Sequence, residues 1–121
     1  MDQPKAKALI ATCIDFRLQD EIDAWIDKHF EPDTFDRVSL AGDIKNLDAV
    51  LDQIKIAHNL HQIKKVILIN HEDCGAYGAE GTYQKHIHDL KNAETKIEYL
   101  YPDLEVDIYY LHLDGEFEKI Q

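Results

Sequence analysis

The residues of this chain with the clearest potential for chemistry are its two cysteines, which stand in two short motifs far apart in the sequence. The first motif is Cys13-Ile14-Asp15-Phe16-Arg17, and the second is His71-Glu72-Asp73-Cys74-Gly75. Two thiolates and one imidazole suit a borderline-soft cation such as zinc. Three protein ligands with a fourth position left open are typical of a catalytic zinc site. We therefore predict that Cys13, His71 and Cys74 bind one Zn²⁺ ion per chain.

Neither motif is sufficient by itself, because a buried cysteine often serves as a small apolar residue and His-x-x-Cys arises frequently by chance. The prediction depends on the two motifs meeting in the fold. With only two cysteines, the chain lacks the disulfide framework of a small secreted domain, so metal binding in a reducing compartment is favoured. A redox role is a lesser alternative, in which Cys13 and Cys74 join as a disulfide after metal loss.

Asp15 and Arg17 are the candidate catalytic residues. They lie two positions apart in the segment after Cys13, where their charges can pair through a bidentate contact. As an exposed ion pair they would contribute little. Beside an open metal position, an arginine-held carboxylate would accept the proton of a zinc-bound hydroxide and orient its lone pair.

Strand patterns alternate with helix patterns along the chain. Strand patterns cover residues 6–12, 35–40, 65–70 and 106–113; the first is typical of a strand buried on both faces, and the third contains the most apolar run of the sequence. Three apolar stripes at helical spacing lie between them. They comprise Ile22, Trp25, Ile26 and Phe30; Leu47, Val50, Leu51, Ile54 and Ala57; and Ile87, Leu90, Ala93, Ile97 and Leu100.

This alternation predicts an α/β fold with a mostly parallel, four-stranded sheet in the order 2-1-3-4, flanked by helices. The length of 121 residues fits one domain, spanning residues 1–121. After the turn signal Asp114-Gly115, residues 116–120 either return as a short hairpin arm or extend across a partner. In such a sheet the crevice forms beyond the carboxyl ends of the first and third strands, where Cys13 and His71 stand.

Charge and composition exclude several classes of function. The net charge of −11 would repel phosphate backbones and anionic membranes, so we expect neither nucleic acid nor a membrane as partner. The first residues lack the apolar run of a signal peptide, and no apolar stretch approaches the roughly 20 residues of a membrane span. We therefore expect a cytoplasmic protein. Outside the motifs, His58, His61, His86 and His88 are interpreted as solvated surface residues.

The motifs resemble those of the β-class carbonic anhydrases: Cys-x-Asp-x-Arg, then the Ala41-Gly42 turn, then His-x-x-Cys-Gly. The resemblance extends over most of the chain. It implies a zinc enzyme that hydrates carbon dioxide reversibly to bicarbonate, with Cys13, His71 and Cys74 as ligands and Asp15 and Arg17 as the catalytic dyad. It also implies a homodimer or a higher homo-oligomer.

Two departures from the family pattern bear on activity. Ser39-Leu40 precedes the Ala-Gly turn where the family usually has Arg-Asn, and Asp43 follows the turn. Glu72 stands where a small hydroxyl residue is common, and it would add negative charge near the zinc. Two alternatives therefore stay open: a zinc hydrolase of another small heterocumulene, such as carbonyl sulfide or carbon disulfide, and a non-catalytic, zinc-stabilised module. Within the family, the aspartate either pairs with its arginine or ligates the metal, and the sequence leaves this choice open for Asp15.

Overall fold

The computed structural model describes residues 3–121, which form an α/β domain around one five-stranded sheet. The strand order is β2-β1-β3-β4-β5, with β1 to β4 parallel and β5 antiparallel to β4. The strands are β1 (Ala8–Cys13), β2 (Phe35–Leu40), β3 (Lys65–His71), β4 (Glu105–Leu111) and β5 (Phe117–Ile120). The helices are α1 (Gln19–His29), α2 (Leu47–His61) and α3 (Tyr83–Leu100).

The predicted α/β class and the order of the four parallel strands are confirmed, but the number of strands is five rather than four. Residues of the expected C-terminal arm form β5, which pairs with β4 of the same chain. Gly115, at φ +94°, makes this reversal possible because the left-handed region costs glycine little. The arm therefore completes the edge of the sheet.

Helices cover both faces of the sheet. α1 packs Ile22, Trp25 and Ile26 on one face, against apolar side chains of β1, β3 and β4. α2 and α3 cover the other face, where the larger core cluster lies. β1 and β3 are buried over nearly their whole length because they occupy the centre of the sheet between these layers.

Side-chain caps define where two helical segments begin. Asp15 caps a short 3₁₀ turn, Phe16–Leu18, by accepting a hydrogen bond from the backbone N–H of Arg17 at 2.9 Å, and α1 follows directly. Thr82 caps α3 by accepting from the N–H of Lys85 at 3.1 Å.

No helix within residues 3–121 has the length and apolar character needed to cross a membrane.

A crevice opens at the carboxyl edge of the sheet. The pairing of β1 with β3 ends at Ala11 and Leu68, whereas β1 continues to Cys13 and β3 to His71. Beyond Ala11, β1 stays paired with β2, and beyond Leu68, β3 stays paired with β4. The last residues of the two central strands thus line the point where the winding of the sheet reverses.

Candidate metal centre

The structure brings the three predicted ligands together at this crevice. Cys13 is the last residue of β1, His71 is the last residue of β3, and Cys74 follows three positions later. One ligand atom from each lies within 4.8 Å of the others, and the two Sγ atoms are 3.9 Å apart. All three residues are buried. Two motifs that are far apart in the sequence therefore form one compact donor set.

Two observations show that the donor set fits a zinc ion. Two sulfurs bound about 2.3 Å from a tetrahedral zinc lie roughly 3.8 Å apart, close to the separation found here. The backbone oxygen of Glu72 accepts a hydrogen bond from Nδ1 of His71 at 2.7 Å, so Nδ1 carries the proton. Nε2 of His71 is buried and has no hydrogen-bond partner among residues 3–121, which is the state that a metal ion would satisfy.

The electrostatics of the cluster favour a cation. Burial opposes ionisation of Cys13, but the adjacent imidazole of His71 and the N–H groups of Gly42 and Asp15 lower its pKa to about 7. Burial likewise opposes protonation of His71, but the neighbouring Cys13 sulfur raises the pKa of the imidazole. Burial raises the pKa of Cys74. The sulfur of Cys13 is thus the group prepared to carry negative charge, and it favours positive charge beside it.

Asp15 and Arg17 lie at the rim of the cluster. Nε of Arg17 donates to both carboxylate oxygens of Asp15, at 3.0 and 3.2 Å, and Nη2 donates to Oδ2 at 2.6 Å. Arg17 also donates to Oδ2 and to the backbone oxygen of Asp73, at 3.1 and 2.9 Å, which ties the two motif loops together. Oδ2 of Asp15 lies 3.9 Å from Nε2 of His71.

In this arrangement the carboxylate of Asp15 pairs with arginine instead of joining the three clustered ligand atoms. The hydrogen bonds from Arg17 lower the pKa of Asp15 to about 2, so Asp15 is charged throughout the neutral range. The same contacts raise the pKa of Arg17. The pair therefore presents a fixed hydrogen-bond acceptor next to the donor set.

The two acidic side chains that depart from the family pattern, Glu72 and Asp43, are held by the surrounding fold. The side chain of Glu72 accepts the backbone N–H of Leu113 at 2.8 Å, so it is held by the turn after β4. Asp43 is 1% exposed, at φ +50°. Burial, together with the nearby Cys13, raises the pKa of Asp43 well above its usual range.

The expectation of a surface position is wrong for one histidine. His86 is completely buried, whereas His58, His61 and His88 retain access to solvent. Its spacing to Leu90, Ala93 and Ile97 continues the buried stripe of α3, and this periodicity was the signal that could have identified it. Tyr77 was also missed, because no sequence pattern marks a single inward-facing residue in a glycine-rich loop.

Gly42 supports the cluster through its backbone. Its N–H donates to Sγ of Cys13 at 3.3 Å, and its φ is +79°. A Cβ atom at this position would lie 3.0 Å from Cβ of Lys45 and 3.1 Å from Cβ of Ala76. We expect Gly42→Ala to lower the free energy of unfolding by about 2–5 kcal/mol, since left-handed backbone strain costs about 1–2 kcal/mol and crowding about 1–3 kcal/mol. Urea unfolding of the metal-free protein measures this loss.

Gly115→Ala is the matched control for this prediction. Gly115 has φ +94°, but its added Cβ would meet only Cγ of Glu21, at 3.7 Å. This variant introduces the left-handed backbone strain without the steric crowding, so it should lose less stability than Gly42→Ala. Equal losses in the two variants would show that the close approach of Gly42 to Ala76 contributes nothing.

A family model described as "Putative carbonic anhydrase" matches residues 3–121 of the chain. Two bacterial proteins that carry no functional name are also similar. One, from Rickettsia bellii (strain RML369-C), is 33% identical over 135 aligned positions, which cover 96% of this chain and 82% of the relative. The other, from Rickettsia conorii (strain ATCC VR-613 / Malish 7), is 34% identical over 135 positions, which cover 96% of this chain and 73% of the relative.

Solved structures show the same fold at low sequence identity. A carbonic anhydrase from Streptococcus mutans superposes with a TM-score of 0.70 at 16% identity, covering 98% of this chain and 84% of the other. The β-carbonic anhydrase isoform I of Trichomonas vaginalis gives a TM-score of 0.66 at 18% identity, covering 99% of this chain and 86% of the other. At these identities the likeness establishes the architecture alone.

Proposed function

Since this chain belongs to that carbonic anhydrase family and has the β-carbonic anhydrase fold, we propose that it is a zinc lyase that hydrates carbon dioxide reversibly to bicarbonate. Cys13, His71 and Cys74 hold one zinc ion, and Asp15 and Arg17 form the catalytic dyad. The observation that carries this proposal is the convergence of three ligand atoms within 4.8 Å beside an arginine-held carboxylate. An inert core would have no need of that combination.

When held by Cys13, His71 and Cys74, a zinc ion would lower the pKa of a water molecule and so would supply a nucleophile near neutral pH. The protein side chains do the rest. The two thiolates and the imidazole set the charge of the site, and the Nδ1–H of His71 is held by the backbone oxygen of Glu72, which fixes the ring orientation. Burial of all three ligands excludes competing solvent from the donor set.

Asp15 orients the nucleophile by accepting its hydrogen bond. A carboxylate with a pKa of about 2 stays an acceptor at neutral pH, and three nitrogen–oxygen contacts with Arg17 restrict its rotation. Arg17 in turn is held by Asp73, on the other motif loop. The dyad thus keeps one acceptor in a fixed direction while the reaction proceeds.

A homo-oligomer, with a dimer as the smallest form, is part of this proposal. Ile14 and Phe16 flank Asp15 and are 56% and 87% exposed, which is unusual for large apolar side chains beside a polar site. A β-carbonic anhydrase from Sordaria macrospora, similar to this chain in fold with a TM-score of 0.56 at 16% identity, is described as tetrameric. A second copy that covers Ile14 and Phe16 would remove them from water and would close the rim of the site.

Stopped-flow measurement of carbon dioxide hydration with a pH indicator tests the proposed function. We expect catalysis by the zinc-loaded protein, loss of catalysis after removal of the metal with a chelator, and recovery on reloading. A sulfide-release assay with carbonyl sulfide or carbon disulfide, run on the same samples, tests the hydrolase alternative. A fully zinc-loaded protein that leaves both reactions at the buffer rate would instead be a non-catalytic, zinc-stabilised module.

A further inference from the structure

The segment that carries Cys74 is a loop between β3 and α3, with little regular structure to hold it. Only two of its side chains, those of Cys74 and Tyr77, are buried between residues 72 and 82. The backbone oxygen of Cys74 accepts from the N–H groups of Tyr77 and Gly78, at 3.1 and 3.2 Å. This tight turn ties the backbone of Tyr77 to that of Cys74, so an anchor on Tyr77 also restrains the backbone that carries the Cys74 sulfur.

The hydroxyl group of Tyr77 is held from both sides. It accepts a hydrogen bond from Nδ2 of Asn70 at 3.2 Å and donates one to Oδ2 of Asp89 at 2.9 Å. Asn70 lies on β3 immediately before His71, and Asp89 lies on α3. One hydroxyl group therefore fastens the loop to a strand that carries another predicted ligand and to the helix that packs behind it.

The ring of Tyr77 is enclosed as well. It packs with Cys13 and Cys74 in one buried cluster, and its centroid lies 4.1 Å from that of His86. Gly81 lies close against the base of this side chain, since a Cβ at this position would lie 2.7 Å from Cβ of Tyr77. Burial and the adjacent Asp89 raise the pKa of Tyr77, so its hydroxyl remains a hydrogen-bond donor.

We infer that Tyr77 is a positioning residue for the metal centre: through Asn70 and Asp89 it holds the Cys74 sulfur in place beside Cys13 before any metal arrives. This inference rests on the proposed zinc site. A loop that is already ordered loses less conformational entropy when the metal binds, so the anchor increases metal affinity. Tyr77 touches neither substrate nor the open metal position in this role.

Cobalt(II) titration and chelator competition for zinc test the inference in Tyr77→Phe. We expect the affinity for both metals to fall about 10- to 100-fold, the usual range for a residue that orients a ligand. The visible absorption of bound cobalt should also change, because it reports the geometry of the ligands. Tyr83→Phe is the matched control: its hydroxyl donates to Glu118 at 2.7 Å, outside the loop. It should bind both metals like the wild type.

Two substitutions of Asp89 separate positioning from general stability. Both remove the ion pair of Asp89 with Lys85, at 3.0 Å, but Asp89→Asn keeps an oxygen that accepts from Tyr77, whereas Asp89→Ala does not. We expect Asp89→Ala to lower the metal affinity as Tyr77→Phe does, and Asp89→Asn to retain most of it. These variants also serve if Tyr77→Phe fails to fold.

A measurement without metal keeps this inference distinct from the proposed function. In the chelated protein, Tyr77→Phe should speed alkylation of Cys74 several-fold while that of Cys13 changes little, as followed by mass spectrometry of the two peptides. Unchanged alkylation of Cys74 together with wild-type cobalt affinity would overturn the inference. Faster alkylation of Cys74 alongside a wild type that binds no metal would support the anchor and refute the zinc site.

Discussion

Zinc should be lost from Cys13→Ser and from Cys74→Ser, each of which we expect to fall from one ion per chain to near zero after dialysis. A serine hydroxyl stays neutral at pH 7, so each variant keeps only two effective ligands. Structural zinc sites gain roughly 10–16 kcal/mol from four ligands, so one thiolate is worth about 3 kcal/mol, or roughly 100-fold in affinity. Metal analysis by mass spectrometry of the purified variants measures the effect.

Histidine variants complete this experiment. His71→Ala should lose zinc as the cysteine variants do, because Nε2 of His71 is the third donor in the cluster. His58→Ala is the matched control, since His58 is partly exposed and pairs with Asp103 at 2.9 Å, away from the crevice. Wild-type zinc content in Cys13→Ser or in Cys74→Ser would show that the metal is held elsewhere, and the proposed enzyme would be excluded with it.

Asp15→Asn should abolish most catalysis without removing the metal. We expect carbon dioxide hydration to fall at least about 100-fold, which is the lower end for loss of a positioned proton acceptor. The zinc content should stay at one per chain, because Asp15 lies outside the three clustered ligand atoms. Stopped-flow rates on protein of known zinc content separate the two quantities. Equal rates for the wild type and Asp15→Asn would remove the claim that this chain is an enzyme.

Asp23→Asn is the matched control for Asp15→Asn. Asp23 forms an ion pair with Arg37 at 2.6 Å, the same separation as between Asp15 and Arg17, but on the exposed side of α1. Its loss should leave hydration unchanged, since an exposed pair contributes little.

The pH dependence of the hydration rate provides a second check. The pKa of Asp15 is depressed to about 2, so its acceptor role is lost only as the pH falls toward that value. A change in rate near neutral pH must come from another group.

Most of the architecture was predictable because it depends on local patterns. The predicted second strand, residues 35–40, matches β2, and the apolar stripe at Leu90, Ala93 and Ile97 matches the buried face of α3. The fifth strand does not follow from the sequence, because residues 116–120 have no apolar run long enough to predict a partner strand. Pairing with β4 settles it, through backbone hydrogen bonds that any sequence with a suitable turn can make.

The sequence by itself determined which residue types stand at the ends of the first and third strands, and parallel topology then required those ends to be neighbours. Cys13, His71 and Cys74 could be grouped for this reason. Only the tertiary structure decided how the side chains around them are paired. Asp15 forms an ion pair with Arg17, and Glu72 accepts a hydrogen bond from the backbone of Leu113. Tyr77 forms hydrogen bonds with Asn70 and Asp89. The choice of partner for each side chain depends on distances that no local pattern records.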